Sequence, residues 1–470
     1  MKILQKTVFA NLGMGLAGRL FSQLFSFFIV VYLARILGPA DYGDISLALA
    51  LVSYFSLIAS FGLPTIGTRE VARAQTDSQE TVSVLFSLRV WLAISLYSML
   101  ALYGLFFVSN QRLFYLLILY GLTMVSSACL LDWFFVGMED LQSITVANLL
   151  GTVVNCSLVF LWVKDVTNIY FIPVFSFVGS LITCSYLLCL YRKIQPLHFC
   201  FNLTQFRALL RVVFPFAIAG FLSQVYENMD MILLGYFVGS EEVGYYSVAY
   251  KIVIVLSSII AIYSQSTWPV MIRLFATNQQ QVGDFLRQNL HTMLYFMIPV
   301  ITGGTILAHS LITAFFGEVY APAVMPFILL LYYVFFMALS ITMANLLLAV
   351  KKDKNYLSAL ALGAVTNVAV NLILIPHWRA TGSAAAMVIA ELVVFLCLVV
   401  KVKPLHKERW VDNKFLFISV GGSAIMGAGV FGLQRLIHLH VGFLILAGIL
   451  IYISVSWPFC AKFIRRTSQI

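Results

Sequence analysis

The chain has 470 residues, of which 61% are hydrophobic and only 10% charged, with a formal net charge of +10. Soluble domains run at roughly 25% charged and 45–50% apolar residues, so an ordinary soluble enzyme and a disordered scaffold are excluded. Seven scattered cysteines likewise exclude a secreted disulfide framework. What remains is an all-α polytopic membrane protein, because a helix crossing a bilayer needs about 20 mostly apolar residues.

Apolar segments fall at 9–36, 45–68, 82–108, 113–137, 142–163, 169–191, 212–238, 244–270, 288–316, 322–350, 356–376, 382–401, 415–434 and 442–461, about fourteen spans. Helices are expected throughout, since backbone groups in lipid must bond within their own segment. No transit peptide and no cleavable signal is legible at Met1–Ala10. With the N-terminus placed in the cytoplasm, 21 Lys and Arg residues fall on the cytoplasmic side and 5 on the other; Arg19, Arg89 and Lys251 lie inside spans. This asymmetry orients both termini to the cytoplasm. The positive charge then reflects topology and attraction to anionic lipid, and no nucleic acid is expected as partner. The longest break, Arg192–Leu210, is cytoplasmic and holds an amphipathic stretch, Phe206–Arg211, expected on the membrane surface.

An internal repeat is visible. Leu33–Ala48 (LARILGPADYGDISLA) aligns with Leu234–Ala249 (LGYFVGSEEVGYYSVA) at an offset of 201, keeping Leu33/Leu234, Gly38/Gly239, Gly43/Gly244, Ser46/Ser247 and Ala48/Ala249. Gly151–Asn155 echoes Gly363–Asn367. A duplicated six-helix bundle follows: a first lobe at 1–191, a cytoplasmic linker at 192–211, a second lobe at 212–401, and two additional helices with a tail at 402–470. Six is even, so both lobes share one orientation, an arrangement in which substrate passes between the halves.

The segments LARILGPADYG, LDWFFVGMED and MDMILLGYFVGSEEVGYYSVAYKI resemble the Wzx-type polysaccharide flippases, the polysaccharide-transport branch of the multidrug/oligosaccharidyl-lipid/polysaccharide (MOP) exporter superfamily. The likeness covers roughly residues 1–400. It implies a V-shaped, MATE-like pair of pseudo-symmetric six-helix lobes around a central cavity. It also implies a non-enzymatic carrier in a bacterial inner membrane, serving O-antigen or related lipopolysaccharide synthesis. Its substrate would be an undecaprenyl-pyrophosphate-linked oligosaccharide turned from the cytoplasmic to the periplasmic leaflet. A polysaccharide polymerase and a chain-length regulator would be its partners, with no cofactor.

Ionisable groups at mid-bilayer are costly and usually face a cavity or a partner. The seventh span carries Gln224, Glu227, Asn228 and Asp230, with Glu227 and Asp230 neighbours at i, i+3. Lys251 in the eighth span either pairs with Asp230 or Glu227 or lines the substrate path. Arg89 and Asp132 sit at similar depth and are expected to pair. Arg19, near the cytoplasmic mouth, has no acidic partner in view; its planar donor fork suits a pyrophosphate, or it snorkels to the interface. Arg273 and Arg287 flank the corresponding mouth of the second half. Glu391 in the twelfth span either carries a coupling cation or bonds to Asn367 or Asn371.

Other motifs carry less. Gly13-Met-Gly15-Leu-Ala-Gly18 has no strand before it, so close helix packing explains it better than a dinucleotide. Histidine and cysteine spacings predict no metal site. Tyr245, Tyr246 and Tyr250 are expected in packing rather than on sugar. Two rival functions remain: a cation-coupled multidrug exporter of the same superfamily, which needs no arginines at the mouth, and a membrane glycosyltransferase, which the short far-side loops disfavour.

Overall fold

The computed structural model describes the backbone of residues 2–60, 62–74, 79–200, 203–277, 279–404, 410–436 and 440–467; side chains are described for these residues except 2–21, 74, 203–205, 208, 210–212, 215–216, 219, 279–280 and 457–467. Among the described residues nine helices are long and apolar enough to cross a membrane, ten if one bent pair is a single span. Two of these each join two helices across a kink, at Gly38 and at Arg379. The chain is a multi-pass, all-helical protein, and its helices follow the expected spans closely. It divides into two compact units, Met1–Gly244 and Tyr245–Ile470.

The first unit comprises α1 (Lys2–Ser60), α2 (Leu63–Ala74), α3 (Gln79–Phe107), α4 (Gln111–Ala128), α5 (Asp132–Gly137), α6 (Leu141–Trp162), α7 (Phe171–Ile194) and α8 (Leu203–Phe237). The first two expected spans form the single helix α1, bent at Gly38, whose φ is 76°. That conformation favours glycine. Pro39 opens the second rod, where its missing N–H costs nothing.

The LDWFFVGMED segment proves to be architectural. Trp133, Phe134 and Phe135 are buried in a core with Leu63, Val71, Leu85 and Tyr191. Gly67 of α2 lets the Trp133 ring lie against its backbone, and Gly137 lets α5 approach Thr68 and Val71. Thr68 Oγ1 donates to the Trp133 carbonyl at 3.0 Å. Asp140 then caps α6 by accepting from the Ser143 N–H at 3.1 Å, the ordinary work of an N-cap carboxylate.

The linker between α7 and α8 is zipped onto α3. The His198 and Cys200 N–H groups donate to the hydroxyls of Ser83 (3.3 Å) and Ser87 (3.0 Å). The two acceptors are one helical turn apart, about 6 Å, close to the two-residue repeat of extended chain, about 6.8 Å. Phe206–Arg211 departs from expectation: it forms the first turns of α8, with Phe206 buried in the same core. An apolar ring with a buried seat gains more from packing than from the lipid interface.

Helix α8 lies along α1 through glycine contacts, Gly220 on Leu57 and Gly235 on Leu47. Such small-residue seams are how helices associate where no hydrophobic drive separates them from lipid. Where α9 (Ser240–Thr277) begins, it crosses α1. Gly43 abuts the Ser240 carbonyl, and Gly244 abuts the Pro39 carbonyl. At an offset of 201, Pro39 corresponds to Ser240 and Gly43 to Gly244. The repeated segments therefore meet reciprocally, as surfaces do across a two-fold axis. Gly239, like Gly38, has positive φ (120°), so the duplication read in the sequence has a shared backbone cause.

The second unit holds α10 (Gln279–Ile306), α11 (Ala308–Phe316), α12 (Val324–Ala349), α13 (Asp353–Val402), α14 (Asn413–Leu436) and α15 (Val441–Thr467). The ninth expected span is broken: α10 and α11 meet at 71°. The eleventh and twelfth form the one helix α13, folded at Arg379. The additional C-terminal pair docks on α10. The His291 ring stacks on Phe415 and accepts from the Asp412 N–H at 3.0 Å. Tyr295 and Ser456 share a hydrogen bond at 2.7 Å, and Tyr452 donates to the Tyr295 carbonyl at 2.9 Å.

Candidate transport site

Helix α8 carries Gln224, Glu227, Asn228 and Asp230 within seven residues. The Gln224 amide donates to Ser53 Oγ at 2.6 Å, and its carbonyl accepts from the Tyr54 hydroxyl at 3.1 Å. Gln224 is thereby tied to α1. Glu227 and Asp230, expected on one face, part company. Asp230 is fully buried and engaged with its neighbours, whereas Glu227 is exposed and Asn228 half-buried. An i, i+3 step turns by about 60°, enough to carry one carboxylate into the packing seam and leave the other outside it. Glu227 lies ten residues before the end of α8, roughly 15 Å deep. A carboxylate exposed there needs water or polar ligand, since lipid would not accept it.

Lys251 is half-buried on α9, eleven residues from its start, hence roughly 16 Å deep. Among the described residues it forms no ion pair. Ion pairs within the first unit include Arg73–Glu70 and Arg112–Asp41. Glu391 is buried on the second rod of α13, engaged with its surroundings. Twelve residues before the bend, Asn367 is buried too, and the Asn371 amide donates to its carbonyl at 2.9 Å.

At Arg89 the structure corrects one expectation. Arg89 does not pair with Asp132 among the described residues. Its guanidinium donates instead to the carbonyls of Leu130 (2.7 Å) and Ser127 (3.0 Å), where α4 breaks before α5. The break frees the Leu130 carbonyl from helical bonding and the guanidinium satisfies it, while the Ser127 carbonyl, already accepting the Leu130 N–H at 3.2 Å, takes a second donor. A buried cation at a helix C-terminus is also favoured by the helix dipole. Asp132 sits half-buried in the first turn of α5, where the same dipole favours an anion. Arg273 is exposed near the end of α9 and Arg287 half-buried on α10. Arg19 is on α1, but its side chain lies outside the described residues.

Sequence reasoning overlooked two polar clusters. Close to the bend in α1, Arg112 pairs with Asp41, and the Ser240 hydroxyl donates to the buried carboxylate of Asp44. In the second unit, Tyr263, Ser264, Thr267, Asn289, Thr342 and Asn345 line a small, water-sized cavity. Tyr263 donates to Asn289 at 2.7 Å and Asn345 to Ser264 at 2.8 Å. The spacing of Tyr263, Thr267 and Met271 at i, i+4 was the available sign, but neutral residues carry no insertion penalty large enough to stand out. Tyr245 packs edge-on against Tyr320, and buried Tyr246 stacks on Tyr250, so these rings serve packing as expected.

Comparison with known proteins places this architecture. A family model described as "Polysaccharide biosynthesis protein" matches residues 8–275. A relative named "Putative O-antigen transporter" from Shigella dysenteriae is 23% identical over 391 residues, 81% of this chain and 96% of its own. Among solved structures, the lipid II flippase MurJ in an inward closed conformation superposes with a TM-score of 0.78 at 17% identity, covering 95% of this chain and 99% of that one. An inward-facing MATE-family multidrug resistance transporter of the MOP superfamily gives 0.65 at 13% identity, covering 82% and 95%. In agreement with the likeness read from its motifs, the chain belongs to the polysaccharide biosynthesis protein family and has the fold of the MOP exporters.

Proposed function

We propose that the protein is a flippase for undecaprenyl-pyrophosphate-linked oligosaccharide units of O-antigen or a related surface polysaccharide. It moves them from the cytoplasmic to the periplasmic leaflet of a bacterial inner membrane by alternating access, with both termini cytoplasmic. The observation that carries this reading is Lys251, a mid-membrane ammonium with no ion pair among the described residues. An uncompensated cation at that depth is expensive, and a pyrophosphate is the kind of ligand that offsets the cost. Exposed Glu227 and half-buried Asn228 offer acceptors and donors to sugar hydroxyls. Arg19, Arg273 and Arg287 gather the head group at the cytoplasmic mouth. A cationic drug, the substrate class of the rival reading, would gain nothing from Lys251.

The test is reconstitution. Purified protein in liposomes with a fluorescent lipid-linked oligosaccharide in both leaflets should render the inner-leaflet pool accessible to an outer quencher. Lys251→Ala should abolish this and Lys251→Arg retain part of it. Equal rates for wild type, both variants and empty liposomes would refute the proposal.

A further inference from the structure

Two of the cysteines, Cys129 and Cys184, are 55 residues apart in sequence yet meet inside the first unit. Cys129 caps the C-terminal end of α4, at the break before α5. Cys184 is buried on α7. The Cys184 thiol donates to the Cys129 carbonyl oxygen at 3.4 Å, which brings the two cysteines side by side. Both are unoxidised. Arg89 anchors the same break through the Ser127 and Leu130 carbonyls, one to two residues from Cys129. Nothing in the proposed transport cycle uses either thiol.

We propose that Cys129 and Cys184 form an oxidant-sensitive dithiol that a hydroperoxide closes to a disulfide, pinning the α4–α5 break to α7. One thiol, as its thiolate, attacks the peroxide; the O–O bond breaks, the departing oxygen takes a proton, and water leaves behind a sulfenic acid. The second thiol attacks that sulfur, and hydroxide departs with the second proton as water. Two thiols and one hydrogen peroxide thus give one disulfide and two waters. Arg89 supplies a fixed counter-charge beside the developing anion, which a water-poor interior otherwise lacks. Closure ties two helices together at a point where α4 is already interrupted, so the break loses its freedom to shift.

The experiment uses the full-length protein in native membranes. Samples with and without hydrogen peroxide are alkylated, digested and mapped by mass spectrometry. Cys129 and Cys184 should lose alkylation together, a peptide linking them should appear, and dithiothreitol should restore both. In Cys184→Ser, Cys129 should instead be trapped as its sulfenic acid by dimedone. Exposed Cys189 serves as the control for oxidant delivery. Oxidation of Cys189 with Cys129 and Cys184 still fully alkylated would overturn the proposal, as would a disulfide joining either residue to a different cysteine.

Discussion

The reciprocal crossing of α1 and α9 makes a prediction that separates backbone contact from mere glycine preference. A methyl group on Gly244 would overlap the Pro39 carbonyl oxygen, and one on Gly43 would overlap the Ser240 carbonyl. Both obstacles are backbone, so no rotamer change relieves them, and the helices must separate by roughly 1 Å or more. Overpacking of this kind costs about 1–3 kcal/mol. Parting the helices also weakens the Ser240–Asp44 hydrogen bond, about 0.6 kcal/mol for such bonds in membrane proteins. Against this, alanine improves helix propensity by about 1 kcal/mol. The clash wins, and Gly43→Ala or Gly244→Ala should each lower Tm in a fixed detergent by roughly 1–3 °C. Because one separation relieves both overlaps, the double variant should lose clearly less than the two single losses combined. Unchanged or raised Tm for the single variants would refute the close crossing, and strict additivity would refute its reciprocity.

Other outcomes follow from the site. Arg89→Ala strands the buried Leu130 carbonyl and should cost about 1–3 kcal/mol. Thermal unfolding should register that loss more than transport per folded molecule does. Arg112→Ala removes an ion pair whose arginine side chain is 43% exposed, so Tm should move by under 1 kcal/mol equivalent. Arg19→Ala, at equal expression, should abolish export of surface polysaccharide while Arg19→Lys keeps part of it. Wild-type export in the alanine variant would remove Arg19 from pyrophosphate binding. Gln224→Leu should free α8 from Ser53 and lower Tm by a few degrees.

Much of the fold was legible because the bilayer simplifies the problem. Spans follow from apolar runs, and the repeat follows from Gly38, Gly43, Gly239 and Gly244, whose conformations and contacts demand glycine. The breaks were less visible. Cys129–Leu131 remains apolar, so nothing in the letters shows that α4 ends there or that Arg89 serves the freed carbonyls. Sequence spacing put Glu227 and Asp230 on one face, but a packing seam narrower than that face divides them. Charge alone made Arg89 and Asp132 look like partners. Backbone carbonyls, invisible to composition, were the stronger claim on the guanidinium. The Cys129–Cys184 contact depends on the tertiary approach of α4 and α7, which no local pattern encodes.

The central claim concerns what crosses the membrane. Its most direct measurement is in cells: delete the gene, extract lipid-linked sugar intermediates, and determine which leaflet holds them. Single repeat units accumulating on the cytoplasmic face, with loss of surface polysaccharide restored by wild type but not by Lys251→Ala, is the predicted result. Unchanged intermediates and surface polymer, with altered resistance to cationic compounds, would contradict the flippase account and favour a drug exporter.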